Sequence, residues 1–233
     1  MSMRSSAPTP RLPGWALLCL VPLPSLGGAA AMWWWPDSPW GKGLYGFSKV
    51  LLLTLPLFWH RYIDRGRWHL NTCRKQGLNE GLLTGVGMIG VIWIMGLLAA
   101  KRWVDVDLIM AQLALVGFDS LGLFLLLGLY WCTLNAILEE MVWRWFVLRQ
   151  FQEKAAAPFT AILLASAAFT LHHLVVVRSW ASWPITLILN AGVFGAGVVW
   201  GWLTLRHRSI LPACISHILA DIGIVSLGFF LFF

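Results

Sequence analysis

Three short stretches set ionisable groups among residues that are otherwise apolar. "LEEMVWRW" (Leu138 to Trp145) puts two carboxylates side by side and an arginine one helical turn later. "FTLHH" (Phe169 to His173) and "HILAD" (His217 to Asp221) follow in the next apolar runs. An unpaired ionisable group in lipid costs on the order of several kcal/mol. Each stretch therefore needs an internal partner or a chemical task.

On a helix, Glu140 and Arg144 share a face and can pair. Glu139 lies about 100° further round the axis, so it points elsewhere. One carboxylate is then neutralised and the other is left available, and a carboxylate withheld from bulk water makes a competent general base. The plain alternative is a Glu–Arg clasp with Arg144 snorkelling to the headgroups. Neutral imidazole is cheaper to bury, so His172 and His173 could equally serve as a helix–helix hydrogen bond. Being adjacent, they point to different sides, and at most one faces the glutamates. His217 and Asp221 share a face again; they either satisfy each other or enter a polar cavity together to hold a carbonyl oxygen or orient a water.

The elements that must bring these groups together are membrane helices. The 233-residue chain is 59% hydrophobic and 12% charged, with 16 tryptophans and a net charge of +7; its mean hydropathy is +0.74. A soluble domain carries about twice that charge fraction. Basic residues punctuate apolar runs instead of forming one patch, which argues against nucleic acid as a partner and for a lipid bilayer. Apolar stretches of spanning length run from about Leu44 to Trp59, Gly81 to Ala100, Leu121 to Met141, Pro158 to Val177, Ile185 to Leu205 and Ile210 to Phe233. The first of these is short and contains Lys49. Upstream, "WALLCLVPLPSLGGAAA" follows Arg4 and Arg11 and reads as a retained span or a signal peptide, with Pro22 and Pro24 making a poor helix. Retained, it brings the count to about seven spans, an all-α polytopic bundle. Val104 to Asp119 reads as a loop with an interfacial segment.

With the N-terminus cytoplasmic, seven alternating spans place Arg4, Arg11, Arg61, Arg65, Arg67, Arg74, Lys75, Arg144, Arg149, Lys154, Arg206 and Arg208 inside. Only Lys42, Lys101, Arg102 and Arg178 fall outside, as the positive-inside rule prefers. Residues 1–120 form N-terminal spans and loops, and 121–233 carry every motif, within one continuous membrane domain. Helical depth tests whether the motifs can meet. Glu139 lies thirteen residues before the turn near Gln152 to Ala157 and His173 sixteen after it, about 20 and 24 Å of helix. His217 is shallower, about 12 Å past Ser209, and is reachable by tilt.

Other groups carry less. Glu80, Asp105, Asp107 and Asp119 sit at span edges and are simplest as solvated groups, and His60, His69 and His207 as surface histidines. Cys19, Cys73, Cys132 and Cys214 have no pairing or zinc-ligand spacing, so no disulfide is expected. Gly192, Gly195, Gly197 and Gly201 mark a face where helices approach closely.

Together, Glu-Glu-x-x-x-Arg, Phe-x-x-x-His and His-x-x-x-Asp, in that order on three apolar helices, resemble the CPBP family of glutamic intramembrane proteases. That family includes the CAAX prenyl proteases and the bacterial Abi-type proteins. The resemblance implies that Glu139 activates a water with His173, and that Glu140 and Arg144 hold the base in place. It implies that His217 and Asp221 support the oxyanion. Many members carry asparagine where Asp221 stands. An ionised aspartate would repel an oxyanion, so Asp221 is either protonated or orients His217. His172 is an imidazole the family pattern does not require. No HExxH occurs, and the resemblance implies no required metal or other cofactor, although Glu and His remain competent zinc ligands.

The expected activity is hydrolysis of a peptide bond in a membrane-anchored protein. The substrate is a CAAX-like tail or a C-terminal sorting or anchor segment. The location is a bacterial inner membrane. The competing reading is a protein that uses the same cavity without hydrolysis, as a peptide-binding or bacteriocin-immunity factor or a proton-coupled transporter.

Overall fold

A computed structural model of the chain describes residues 14–36, 38–64, 75–103 and 120–233, with 99–103 as backbone only. Among the described residues there are helices and no strands. They form α1 (Trp15–Trp34), α2 (Pro39–Phe58, extended by a π-helical turn Trp59–Ile63) and α3 (Leu78–Trp103). Then come α4 (Leu121–Gln152), α5 (Pro158–Arg178), α6 (Trp183–His207) and α7 (Leu211–Phe232). Helices close their own backbone hydrogen bonds, which lipid demands.

The sequence marks the helix starts. Proline lies in the first turn of α2, α5, α6 and α7, where its missing N–H costs nothing. The side chains of Ser38 and Ser120 cap α2 and α4 by accepting from Trp40 N and Leu123 N. Arg208, at φ 49°, takes the left-handed turn that ends α6.

Six of these helices are long and apolar enough to cross a membrane, so the chain is an integral membrane protein. The exception is α2, whose hydropathy is diluted by Lys42 and Lys49; the expected short second span is this helix. The run α1 breaks at Val21 before Pro22 and resumes at Leu23. Its Ala16, Leu17 and Leu20 are buried in the same apolar cluster as Val142 to Leu148 of α4 and Phe169 of α5. The N-terminal run is thus part of the core.

Two tight pairs frame the centre. On α3, a Cβ at Gly81 would meet the Pro212 backbone oxygen at 2.4 Å, and one at Gly85 would meet Leu219 at 2.7 Å. Small residues there let α3 and α7 approach closely. Gly197 and Gly201 do the same for α6 against Ser166 and Ile162 of α5, whereas Gly192 and Gly195 face open space. Between the pairs lies α4, in contact with both α5 and α7. Its first half is largely exposed, with Leu125, Leu126 and Leu129 outward, and from Ala136 onward it becomes core.

Several edge groups differ from the sequence expectation. His60 is buried against the Trp145 ring and lies 3.2 Å from Arg149 Nη1, which also pairs with Asp64. Glu80 is paired with Arg206 and His207 at 3.1 Å each, joining α3 to α6. Single-residue exposure habits missed both because the partner comes from a distant helix. Cys19, Cys132 and Cys214 form no disulfide among the described residues. The expected Val104 to Asp119 segment, with Asp105, Asp107 and Asp119, lies outside the described residues, as do His69, Cys73, Arg4, Arg11, Arg65, Arg67 and Arg74.

Candidate active site

The glutamates sit at an irregularity in α4. Regular α-helix over Ala136–Glu140 is flanked by π-helical segments, Trp131–Asn135 and Met141–Leu148. Such widened turns recur at functional sites because they redirect side chains within one continuous helix.

Glu140 is fully buried, and its Oε1 lies 3.0 Å from Arg144 Nη1, the pair expected from the four-residue spacing. Arg144 does not snorkel. It is 4% exposed, with its guanidinium 4.6 Å over the Phe169 ring and 5.0 Å over the Trp200 ring. Two aromatic faces and one carboxylate thus compensate a cation taken out of water. The Glu140–Arg144 contact is an ion pair without hydrogen-bond alignment: among the described residues, Glu140 Oε2 and both terminal nitrogens of Arg144 have no hydrogen-bond partner.

The same Glu140 Oε1 accepts from His217 Nδ1 at 2.9 Å, across helices. A carboxylate paired with arginine can only accept, so Nδ1 carries the hydrogen. Nε2 of His217 then faces Glu139 Oε2 at 3.8 Å and Asp221 Oδ2 at 3.7 Å. Both are beyond hydrogen-bond length. The local His217–Asp221 hydrogen bond that the spacing allowed is therefore not formed; His217 is bound to α4 instead. Glu139 and Asp221 keep some access, with side chains 12% and 17% exposed.

The third arm is α5. His173 Nδ1 lies 3.1 Å from the Phe169 carbonyl oxygen, which can only accept, so in the neutral ring Nε2 keeps its lone pair. His173 stands within electrostatic range of Glu139 and His217. His172 packs its ring 4.0 Å from that of His173 but lies on the other side of it. It stacks on Trp143 with ring centroids 5.4 Å apart and planes 5° apart. Phe169 serves the site twice, through its carbonyl and through a ring that meets Arg144, His173 and His217.

Three expected groups on three helices are thus gathered, with Glu140 and His217 in direct contact and Glu139, His173 and Asp221 around them. What the motifs did not contain is Trp200, which stacks on His217 with centroids 3.9 Å apart. Nothing in the run "GVFGAGVVWGW" singles it out from the other two aromatics there, Phe194 and Trp202.

Such a set offers a carboxylate and an imidazole as proton acceptors, and an anchored second imidazole to meet developing negative charge. No group of three His, Cys, Asp or Glu side chains among the described residues is arranged to hold a metal ion. A cavity of about 440 Å³ opens elsewhere, lined by Trp33, Arg178, Ser179 and Trp183, and none of the six candidate residues lines it.

No curated protein and no solved structure matches this chain. Residues 121–223 match the family model described as type II CAAX prenyl endopeptidase Rce1-like. That stretch begins with α4, ends inside α7 and includes Glu139, Glu140, Arg144, His173, His217 and Asp221, so the part of the chain that carries the site is similar to the CPBP family.

Proposed function

We propose that the protein is a glutamic-type intramembrane endopeptidase that hydrolyses a peptide bond in a membrane-anchored protein. The family supports a CAAX-type intramembrane endopeptidase acting on such a substrate. The observation that carries the reading is the convergence of Glu139, His173 and His217 from α4, α5 and α7 around a fully buried Glu140–Arg144 pair. Ion-paired groups this deep are expensive unless they are used.

In this reading Glu139, assisted by His173 Nε2, takes a proton from water as its oxygen attacks the scissile carbonyl carbon. The carbonyl π pair moves onto oxygen, and the oxyanion is met by His217 as imidazolium, which keeps Nδ1–H on Glu140 and donates Nε2–H to the oxyanion, oriented by Asp221. Collapse of the tetrahedral intermediate breaks the C–N bond, and the proton held by Glu139 passes to the departing amine. Glu140 and Arg144 stay unreacted and hold His217 and the α4 backbone in place. No metal takes part. The substrate is a CAAX-like tail or a C-terminal sorting or anchor segment, the protein lies in a bacterial inner membrane, and its N-terminus faces the cytoplasm.

A quenched fluorescent peptide ending in a farnesylated cysteine and three further residues tests this, alongside its unprenylated twin and a C-terminal anchor-helix peptide. Wild-type protein in detergent or vesicles cleaves the farnesylated probe, and Glu139→Gln abolishes cleavage while folding normally. Cleavage retained in Glu139→Gln overturns the reading. Preference for the anchor-helix peptide moves the substrate class and leaves the chemistry standing.

A further inference from the structure

We infer that Trp200 of α6 is a positioning residue of this site, fixing the ring of His217 and the guanidinium of Arg144 on one indole; the role in turnover rests on the hydrolase reading above. Trp200 is 4% exposed. Its ring lies 3.9 Å from the His217 ring, with planes 17° apart. Arg144 sits 5.0 Å from the same indole. The edge of the indole is anchored too: Nε1–H donates to Ser216 Oγ at 3.1 Å, on the residue that precedes His217 in α7.

These contacts divide the control of one imidazole. The Glu140 carboxylate fixes which nitrogen bears the hydrogen, because Nδ1 must donate to it. A single hydrogen bond leaves the ring free to rotate about that contact. A nearly parallel indole face removes the rotation and holds Nε2 towards Glu139 and Asp221. The anchor on Ser216 sets the indole against the α7 backbone, and Thr84 Oγ1 of α3, 3.0 Å from Ser216 Oγ, completes the mount.

Trp200 reaches this position because α6 lies close on α5. Gly197 and Gly201, three before and one after it, fit against Ser166 and Ile162. That approach also sets Trp200 edge-on to Phe169, at 6.0 Å and 73°. Simple core filling requires only volume, which phenylalanine or leucine could supply. It requires neither a stacked imidazole nor an indole N–H on the neighbouring residue.

The test compares Trp200→Phe, Trp200→Leu, Ser216→Ala and Trp200→Phe/Ser216→Ala in detergent, with melting curves to normalise for folded protein. On the farnesylated probe, Trp200→Phe lowers kcat about 3- to 10-fold, as loss of one neutral hydrogen bond would, and Ser216→Ala, which also removes the partner of Thr84 Oγ1, lowers it at least as much. The double variant is no worse than Ser216→Ala alone, since that substitution already removes the bond from the indole. Trp200→Leu lowers kcat about 100-fold with KM unchanged, the signature of a misplaced group that does not bind substrate. An activity-independent readout is carbethoxylation of His217 by diethylpyrocarbonate, followed by mass spectrometry. Trp200→Leu raises that rate several-fold, and Trp200→Phe leaves it as in wild type. This readout stands even if wild type cleaves none of the probes, so failure of the hydrolase reading is told apart from failure of the positioning role. If Trp200→Leu folds with wild-type kcat and unchanged His217 labelling, the role is overturned. If Trp200→Leu does not fold, additive losses in the Phe/Ala cycle overturn it.

Discussion

His217 Nδ1 meets Glu140 Oε1 at 2.9 Å, and this contact ties α7 to α4 at the depth where the buried guanidinium of Arg144 takes the same oxygen. One carboxylate oxygen thus serves a cation on its own helix and an imidazole on another.

Removing that charge while keeping the shape is the sharpest probe of the arrangement. Glu140→Gln leaves Arg144, 4% exposed, without its counter-charge. Stability should fall by about 3–5 kcal/mol, as when a buried pair is broken from one side. Glu140→Gln with Arg144→Met should recover most of the melting temperature, because the pair as a whole adds little over apolar packing. Activity should stay lost in both, since His217 Nδ1–H then meets a neutral amide oxygen and the imidazolium has lost its counter-charge. A single Gln variant that melts like wild type contradicts the pairing.

Asp221 faces the same nitrogen of His217 as Glu139 does, at 3.7 and 3.8 Å. Two carboxylates at the place assigned to an oxyanion make charge the question. Asp221→Asn keeps the shape and hydrogen-bonding capacity while removing one negative charge, so kcat on the cleaved probe should hold or rise. Asp221→Leu should lose about 100-fold, the scale of an oxyanion-hole contribution. Equal losses in both variants mean that the charge itself is required.

The chemistry of the site was legible because its members are types that lipid excludes. Glu139, Glu140, Arg144, His173, His217 and Asp221 stood out against apolar runs, and helical spacing alone fixed the Glu140–Arg144 pair. What spacing could not give is contact between helices. Nothing in "HILAD" says that His217 bonds Glu140 and not Asp221, since that choice depends on how α7 packs on α3 and α4. The π-helical turns around Ala136–Glu140 also have no residue signature in the sequence. Trp200 went unread because an aromatic in a membrane helix is ordinary until its neighbours are known. Span counting fared well where runs were long, and it overstated α2, whose lysines set it apart from the other six.

Metal dependence is predicted from the donor set, since no three His, Cys, Asp or Glu side chains among the described residues are grouped to hold an ion. Nδ1 of His217 is bound to Glu140 and Nδ1 of His173 to the Phe169 carbonyl, so each ring offers one nitrogen. Activity on the probe should survive prolonged dialysis against a strong chelator, and purified protein should carry substoichiometric zinc by elemental analysis. Loss of activity on dialysis, restored by zinc alone, contradicts the metal-free scheme.

The last prediction concerns a residue far from the chemistry in sequence. Gly85 of α3 lies under α7, where an added Cβ would come within 2.7 Å of Leu219 and 3.1 Å of the Ser216 Cα. Leu219 presents its Cβ, which is fixed to the backbone, as well as the flexible Cδ1, and Ser216 presents its Cα, so α7 itself must shift. Overpacking of this kind costs about 1–3 kcal/mol. The shift falls on the residue that anchors Trp200 and precedes His217, so Gly85→Ala should lower kcat more than its loss of stability explains. Gly87, with open space around it, is the control: Gly87→Ala should leave both melting temperature and kcat near wild type. If the two alanine variants behave alike in melting and turnover, the α3–α7 approach does not set the position of His217.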